Sequence, residues 1–312
     1  MTKTQDRWTA DSIPDQSGRT AIVTGANSGL GFETTKALAA HGARVVLAVR
    51  NEAKGQAAAD AIRAGQRDAD LRVRRLDLAD LDSVRSFVDG LRGDGLAVDL
   101  LINNAGVMMP PRILSPQGHE SQFAGNHLGH FALTGLVLDL LPAYADARVV
   151  TVSSSLHRRG HIHFDDLTGA RGYSPSAFYA QSKFANVLFG LELDRRLRAA
   201  GRDIKSVLAH PGYSATNLQT TGPTGLLNLV MRIGTPIMAQ PADRGALDQL
   251  YAATEPTVHS GQFIGPDGPF EGRGYPTIVQ PVESAKDPEL ARRLWTLSEE
   301  LTGVDFHLPP AP

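Results

Sequence analysis

Short apolar runs alternate with segments of helical periodicity along nearly the whole chain, and this alternation constrains the fold more than any single motif. Runs at Thr20–Thr24, Arg44–Val49, Leu71–Leu76, Val98–Ile102, Ala147–Val152 and Ile204–Ala209, with a short late one at Gln262–Ile264, read as strands. Leu30–Ala40, Glu52–Ala64, Leu81–Leu91, Glu120–Leu141, Ala177–Ala200 and Ala242–Ala253 read as helices. Ala21-Ile22-Val23 and Val45-Val46-Leu47 are apolar at successive positions, the pattern of strands covered on both faces. The alternation predicts an α/β domain: one doubly wound, mostly parallel sheet of seven strands with helices on both faces. No repeat or Gly/Ser linker divides the chain. Residues 18–303 are therefore expected to form a single domain, after an N-terminal extension at 1–17 and before a tail at 304–312. His157–Ser176 and Asn217–Pro241 stand outside the alternation, and long irregular segments in compact domains are usually functional or mobile.

Thr24-Gly25-Ala26-Asn27-Ser28-Gly29-Leu30-Gly31 joins the first strand to the first helix. Gly25, Gly29 and Gly31 permit a tight turn and close backbone approach to a pyrophosphate, and the helix start behind Asn27, Ser28 and Leu30 offers free N–H groups and a positive dipole end. The bland alternative is a structural glycine turn. At the end of the second strand, where an acidic residue would bind the adenine-ribose hydroxyls of NAD, the chain has Arg50. The guanidinium suits a 2′-phosphate, so NADP(H) is expected in preference to NAD(H), which stays possible; the alternative for Arg50 is a solvated loop charge. Asp77-Leu78 would lie near the adenine, although Asp77 or Asp80 could instead cap the helix near Leu81. Asn103-Asn104-Ala105-Gly106 ends the fourth strand and reads either as the far wall of the cofactor cleft or as an ordinary turn.

Tyr179 and Lys183 stand at i and i+4 on a helix and so share a face. A phenol with an ordinary pKa of about 10 is a poor proton donor or acceptor near neutrality, and a nearby ammonium favours its ionised form. The pair is a candidate proton relay, Lys183 lowering the Tyr179 pKa. Many ordinary helices carry this spacing, but lysine is scarce here, 6 against 25 arginines. The net charge of −2 gives no footprint for nucleic acid or an anionic membrane. The absence of Cys removes disulfides, thiolate catalysis and cysteine metal sites. The polar N-terminus carries no signal-peptide or anchor pattern, and Gly225–Met238 is too interrupted to span a bilayer. A cytoplasmic location is expected.

Taken in order, Thr24–Gly31, Asp77, Asn103–Gly106, Asn126, Ser153-Ser154, Tyr179-x-x-x-Lys183 and Pro211-Gly212-x-x-x-Thr216 resemble the classical short-chain dehydrogenase/reductase family over residues 18–300. Val152–Leu167 and Phe178–Leu197 look like its retinol dehydrogenase and WW-domain oxidoreductase branch. The resemblance implies a Rossmann fold and hydride transfer between a nicotinamide and a carbonyl or alcohol. In that scheme Tyr179 is the acid/base, Lys183 binds the nicotinamide ribose and tunes Tyr179, Ser154 orients the substrate oxygen, and Asn126 holds a water linking Lys183 to solvent. Ser153 and Ser155 compete with Ser154, which matches the second serine of the branch and, by strand alternation, faces away from its neighbours. Tyr179 follows Ser154 by 25 residues, a longer spacing than is common in the family but one that the branch shares. Asn104, Ala105 and Gly106 would close the cleft, Pro211 and Gly212 would face the nicotinamide, and Thr216 would bind its carboxamide or a phosphate, or else cap a short helix.

His157, His161 and His163 read as exposed hairpin histidines, and no metal is expected. The insert they belong to is expected to wall the substrate entrance. Leu218, Leu226, Leu227, Leu229, Val230, Met231, Ile233, Ile237 and Met238 would make Asn217–Pro241 an apolar lid over a small lipophilic aldehyde, ketone or alcohol; the alternative is core or subunit interface. A non-catalytic cofactor binder and a pigment-type double-bond reductase are the competing functions. By analogy the chain would form a homodimer or homotetramer through Glu120–Leu141 and Ala177–Ala200.

Overall fold

The computed structural model describes residues 7–142, 146–213 and 240–310. Its sheet has eight strands, one more than expected: β1 (Thr20–Thr24), β2 (Arg44–Val49), β3 (Leu71–Arg75), β4 (Leu100–Asn103), β5 (Ala147–Val152), β6 (Ile204–Ala209), β7 (Phe263–Pro266) and β8 (Pro276–Val279). They lie in the order β3-β2-β1-β4-β5-β6-β7-β8. All pairings are parallel except β7 with β8. β8 is short, begins at a proline and exposes Ile278, so it lacks the apolar run that marks the other strands.

The inner strands are buried on both faces, and side-chain alternation divides them between two cores. Ile22, Val46 and Leu101 enter one core with Phe131, Phe189 and Trp295. Ala21, Val23, Val45, Leu47 and Ile102 enter the other with Leu38, Ala59 and Leu250. The covering helices are α1 (Gly29–Ala40), α2 (Glu52–Gly65), α3 (Leu81–Gly93), α4 (Ser121–Phe123), α5 (Gly129–Val137), α6 (Pro175–Ala199), α7 (Ala242–Thr254) and α8 (Pro288–Thr302). Where one helix was expected over Glu120–Leu141, a π-helical turn at Ala124–Leu128 separates α4 from α5, and a 3-10 turn at Leu138–Leu140 ends the run. The sequence reading omitted α8. Its signals are present: Asp287 as N-cap, Pro288 at the first position, Ala291, Leu294, Trp295, Ser298 and Thr302 on one buried face, and Gly303 in the left-handed conformation at its end.

The boundary expected at residue 303 falls just before two residues that the core takes in. Val304 and Phe306 are buried, the Phe306 ring 4.8 Å from Phe131 and 4.5 Å from Trp295. At the other end Ile13 is buried, and Trp8 packs edge-on against Tyr251 at 5.3 Å. α8 also lies along α6, and 18 of the 25 residues of α6 are buried within the single chain. Among the described residues no helix is long and apolar enough to cross a membrane.

Candidate active site

β1 and β4 are neighbours, and the chain leaves β1 towards β2 on one side and returns to β4 on the other. A crevice opens at the carboxyl ends of such strands. Here it is a cavity of about 1130 Å³, and the loops after β1, β2, β3, β4, β5 and β6 all reach it.

Gly25, Asn27, Ser28, Gly29, Leu30 and Gly31 line one end. Gly25 has φ +68 and Gly29 φ +54. A Cβ on Gly31 would stand 2.4 Å from the Gly25 carbonyl oxygen and 2.7 Å from Asn104 Nδ2. Ser28 is the N-cap of α1 yet makes no side-chain cap hydrogen bond, so the first amides of α1 are left for a ligand. The cradle fits a pyrophosphate: only glycine fits at Gly31, and a helix start faces the open crevice. Arg50 and Lys54 line the next part, and among the described residues neither side chain carries an ion pair or hydrogen bond. Lys54 escaped the sequence reading; its position four residues after Arg50, in the first turn of α2, was the available signal. Asp77 and Leu78 line the crevice as expected, and Asp80 is the residue that caps α3, accepting from Asp82 N at 3.1 Å.

Asn104, Ala105 and Gly106 form the opposite wall. Thr24 Oγ1 accepts hydrogen bonds from Asn104 N and Ala105 N, each at 2.9 Å, and Asn104 Nδ2 donates to Thr24 O at 2.8 Å. The glycine turn and this wall are therefore braced together. Pro211 and Gly212 line the cavity after β6. Gly212 has φ +58, and a Cβ there would meet the Gly272 carbonyl oxygen at 2.5 Å. Glu271, in the same loop as Gly272, accepts from His210 at 2.9 Å and Arg158 at 2.7 Å; these partners, His210 first, hold its carboxyl down to about 2.

Asn126, Ser154, Tyr179 and Lys183 meet on the cavity floor. Ser174 caps α6 and Pro175 starts it, which places Tyr179 and Lys183 one turn apart on the inner face, 5% and 3% exposed. Ser154 faces the Tyr179 phenol, and its Oγ accepts from Leu156 N at 3.2 Å, capping the 3-10 turn Ser155–Arg159. Ser153 turns the other way and donates to Lys183 O at 2.8 Å. The strand ends at Val152, so its alternation does not extend to Ser155, which also lines the cavity. Lys183 Nζ donates to Val152 O at 3.2 Å and lies 5.9 Å from the Tyr179 ring centroid. Asn126 Nδ2 donates to Val107 O and Ser182 Oγ, both at 2.9 Å, and its Oδ1 accepts from Val107 N at 2.8 Å. Both amide protons are thus committed to protein partners.

The electrostatics correct one expectation. Burial pushes the Tyr179 phenol up to about 12, with the neighbouring Ser154 opposing it. Burial drives the Lys183 ammonium down to about 8. In this geometry desolvation outweighs any pull of Lys183 on the phenol, because both groups sit in the same low-dielectric floor and Nζ is aimed at Val152 O. The phenol is therefore protonated at neutral pH.

Met108, Met109, Leu156 and Tyr213 line the cavity beside Ser154 and Tyr179. Among the described residues, none of 157–176 lines it. The insert instead braces the rim: Tyr173 Oη donates to Pro110 O at 2.9 Å, and Gln122 accepts from Met109 N at 2.8 Å while donating to Pro175 O at 3.0 Å. It forms no hairpin, and His157 is fully buried against Phe263, while His161 is exposed and His163 stacks on Phe178. Among the described residues no group of three or more His, Cys, Asp or Glu could hold a metal. Thr216 and the apolar residues of the expected lid lie outside the described residues, which resume at Gln240.

The family model described as short chain dehydrogenase matches residues 19–224. Human retinol dehydrogenase 12 is 39% identical over 291 residues, covering 92% of this chain and 87% of that protein. The crystal structure of an uncharacterised protein from Mycobacterium paratuberculosis is 44% identical, covers 96% of this chain and 99% of that one, and superposes with a TM-score of 0.81. A short chain dehydrogenase from Burkholderia cenocepacia, solved in complex with NADP, is 25% identical with a TM-score of 0.62, covering 80% of this chain and 96% of that one.

Proposed function

Since this chain belongs to the short chain dehydrogenase family of oxidoreductases, we propose that it uses NADPH to interconvert a lipophilic carbonyl and its alcohol, with Tyr179 as the acid/base. The observation that carries this reading is the convergence of Ser154, Tyr179, Lys183 and Asn126 on the floor of the same cavity that begins at the glycine-rich turn. When bound, the nicotinamide supplies or takes up the hydride.

Hydride arrival at a carbonyl carbon builds negative charge on its oxygen, and donors aimed there lower the barrier. Ser154 Oγ and Tyr179 Oη, both lining the cavity floor, supply those donors, and the phenol proton passes to the oxygen. In the oxidative direction the same phenol must first ionise, which a pKa pushed up to about 12 opposes, so the site suits reduction near neutral pH. Lys183 and Asn126 hold the polar side of the floor, Lys183 presenting a cation to the ribose and to any charge that develops on the phenol. Arg50 and Lys54, unpartnered among the described residues at the far end of the cavity, support a 2′-phosphate and hence NADPH. Met108, Met109, Leu156 and Tyr213 support an apolar substrate, in keeping with the lipophilic alcohol in the name of retinol dehydrogenase 12.

The test is NADPH oxidation with a panel of lipophilic aldehydes and ketones, beside Tyr179→Phe. Turnover lost in the variant, with NADPH binding retained, is expected. Equal turnover in Tyr179→Phe would refute the acid/base assignment. For the cofactor, Arg50→Ala and Lys54→Ala should weaken NADPH and leave NADH unchanged; equal losses for both cofactors would refute the phosphate reading.

A further inference from the structure

His130 has no part in the scheme above, yet its ring is buried, 1% exposed. Nδ1 lies 3.0 Å from the carbonyl oxygen of Asn126, in the π-helical turn four residues back. Nε2 lies 2.9 Å from Thr24 Oγ1, at the end of β1. A carbonyl can only accept, so Nδ1 carries the proton and Nε2 presents its lone pair. The Thr24 hydroxyl must then donate to Nε2. Its own lone pairs are left to receive Asn104 N and Ala105 N, which they do at 2.9 Å each. The alternative acceptor for the Thr24 proton, Ile102 O, is farther away at 3.3 Å.

One neutral imidazole therefore fixes two things at once. Through Thr24 it sets the direction of the hydroxyl that ties the Asn104–Ala105 wall to the glycine turn. Through the Asn126 carbonyl it sets the backbone that aims the Asn126 amide at Val107 and Ser182, beside Lys183. We propose that His130 is a positioning residue that couples the cofactor wall to the proton-handling floor. Its Nε2 side governs cofactor affinity, and its Nδ1 side governs the titration of the Tyr179–Lys183 pair. The charged or titratable groups near it are Lys183 on α6 and His127 in the π turn, and a second positive charge beside Lys183 is disfavoured there. Burial, with Lys183 adding to it, keeps the ring neutral, at a pKa of about 4.

The inference rests on the reading that this cavity takes a nicotinamide cofactor. Two substitutions separate the halves of the bridge. Asn carries a donor where His has Nδ1 and ends short of Thr24; Gln carries an acceptor where His has Nε2 and offers nothing to the Asn126 carbonyl. His130→Asn is expected to raise the NADPH dissociation constant about tenfold, the equivalent of one lost hydrogen bond, with the pH profile of kcat unmoved. His130→Gln is expected to bind NADPH as the unaltered protein does and to shift the pH limb of kcat by about one unit. Affinity is read by NADPH fluorescence titration, the pH profile by NADP reduction with retinol between about pH 6 and 8, and the fold by the melting temperature of the cofactor-free protein. Thr24→Val removes the hydroxyl without reshaping the site. It should weaken NADPH as His130→Asn does, and the double variant should lose less than the two losses together. If the two His130 variants change affinity and pH profile alike, or neither changes either, the inference falls while wild-type binding and turnover keep the functional reading. If the unaltered protein binds no NADPH, both fall together.

Discussion

Replacing Lys183 by Met should make the cofactor-free protein more stable while abolishing turnover. Lys183 is 3% exposed, and burial lowers its pKa from 10.5 to about 8. A shift of roughly 2.5 units means that holding the ammonium charged in the folded state costs about 3 kcal/mol at neutral pH. Among the described residues no carboxylate offsets this; the Nζ bond is to Val152 O, which also receives Asn186 Nδ2 at 3.2 Å. Met fills the space of the lysine stem and removes the charge. It forfeits one hydrogen bond, worth about 1 kcal/mol, and leaves Val152 O with its second donor. The net gain is about 2 kcal/mol, or about 3 °C in melting temperature for a chain of this length.

The pH dependence gives the sharper test. The folded-state pKa of Lys183 is depressed, so between about 8 and 10.5 the unfolded chain binds a proton that the folded chain does not. Wild-type stability from this group therefore rises with pH across that window. The advantage of Lys183→Met is full below about pH 8 and gone above about 10.5. Urea unfolding of both proteins near pH 7 and near the upper limit decides the matter. A variant less stable than wild type at pH 7, or a gap that does not close as pH rises, would refute the claim that Lys183 sits desolvated and uncompensated.

Gly31→Ala should weaken NADPH by at least about tenfold and destabilise the fold by about 1–3 kcal/mol, because its Cβ would stand 2.4 Å from Gly25 O; calorimetric titration showing unchanged affinity would remove the cradle from the argument. Phe306→Ala should lower stability by about 3 kcal/mol in denaturant titration, since the ring is 5% exposed in the Phe131–Trp295 cluster, while activity per folded molecule stays near wild type. Alcohol oxidation should climb about tenfold per pH unit between about pH 6 and 8, where carbonyl reduction stays level, because a phenol pushed up to about 12 is almost wholly protonated there. Initial rates in both directions over that range check it, and a plateau in oxidation below about pH 8 would count against Tyr179 as the base.

Seven of the eight strands and most of the helices were legible because their signals are local. A run such as Ala21-Ile22-Val23 is apolar at every position only if both faces are covered, and Ile22 does enter the opposite core from its neighbours. β8 carried no such run, since an edge strand with one open face needs none. α8 carried every mark of a helix and was passed over because the β-α alternation ends before it. The site residues were legible for a related reason: glycine stereochemistry at Gly25 and Gly31 and the one-turn spacing of Tyr179 and Lys183 are properties of the backbone.

Residue order alone thus determined the α/β alternation, the glycine turn at the mouth of the first helix and the shared face of Tyr179 and Lys183, since each follows from chain geometry within a few residues. Tertiary structure decided which serine meets Tyr179, that His130 reaches both Thr24 and Asn126, and that Phe306 closes a core. It also decided the sign of the phenol's shift. A pKa depends on how much water the whole fold removes from a group and on the direction of every nearby dipole, and those are sums over residues far apart in the chain.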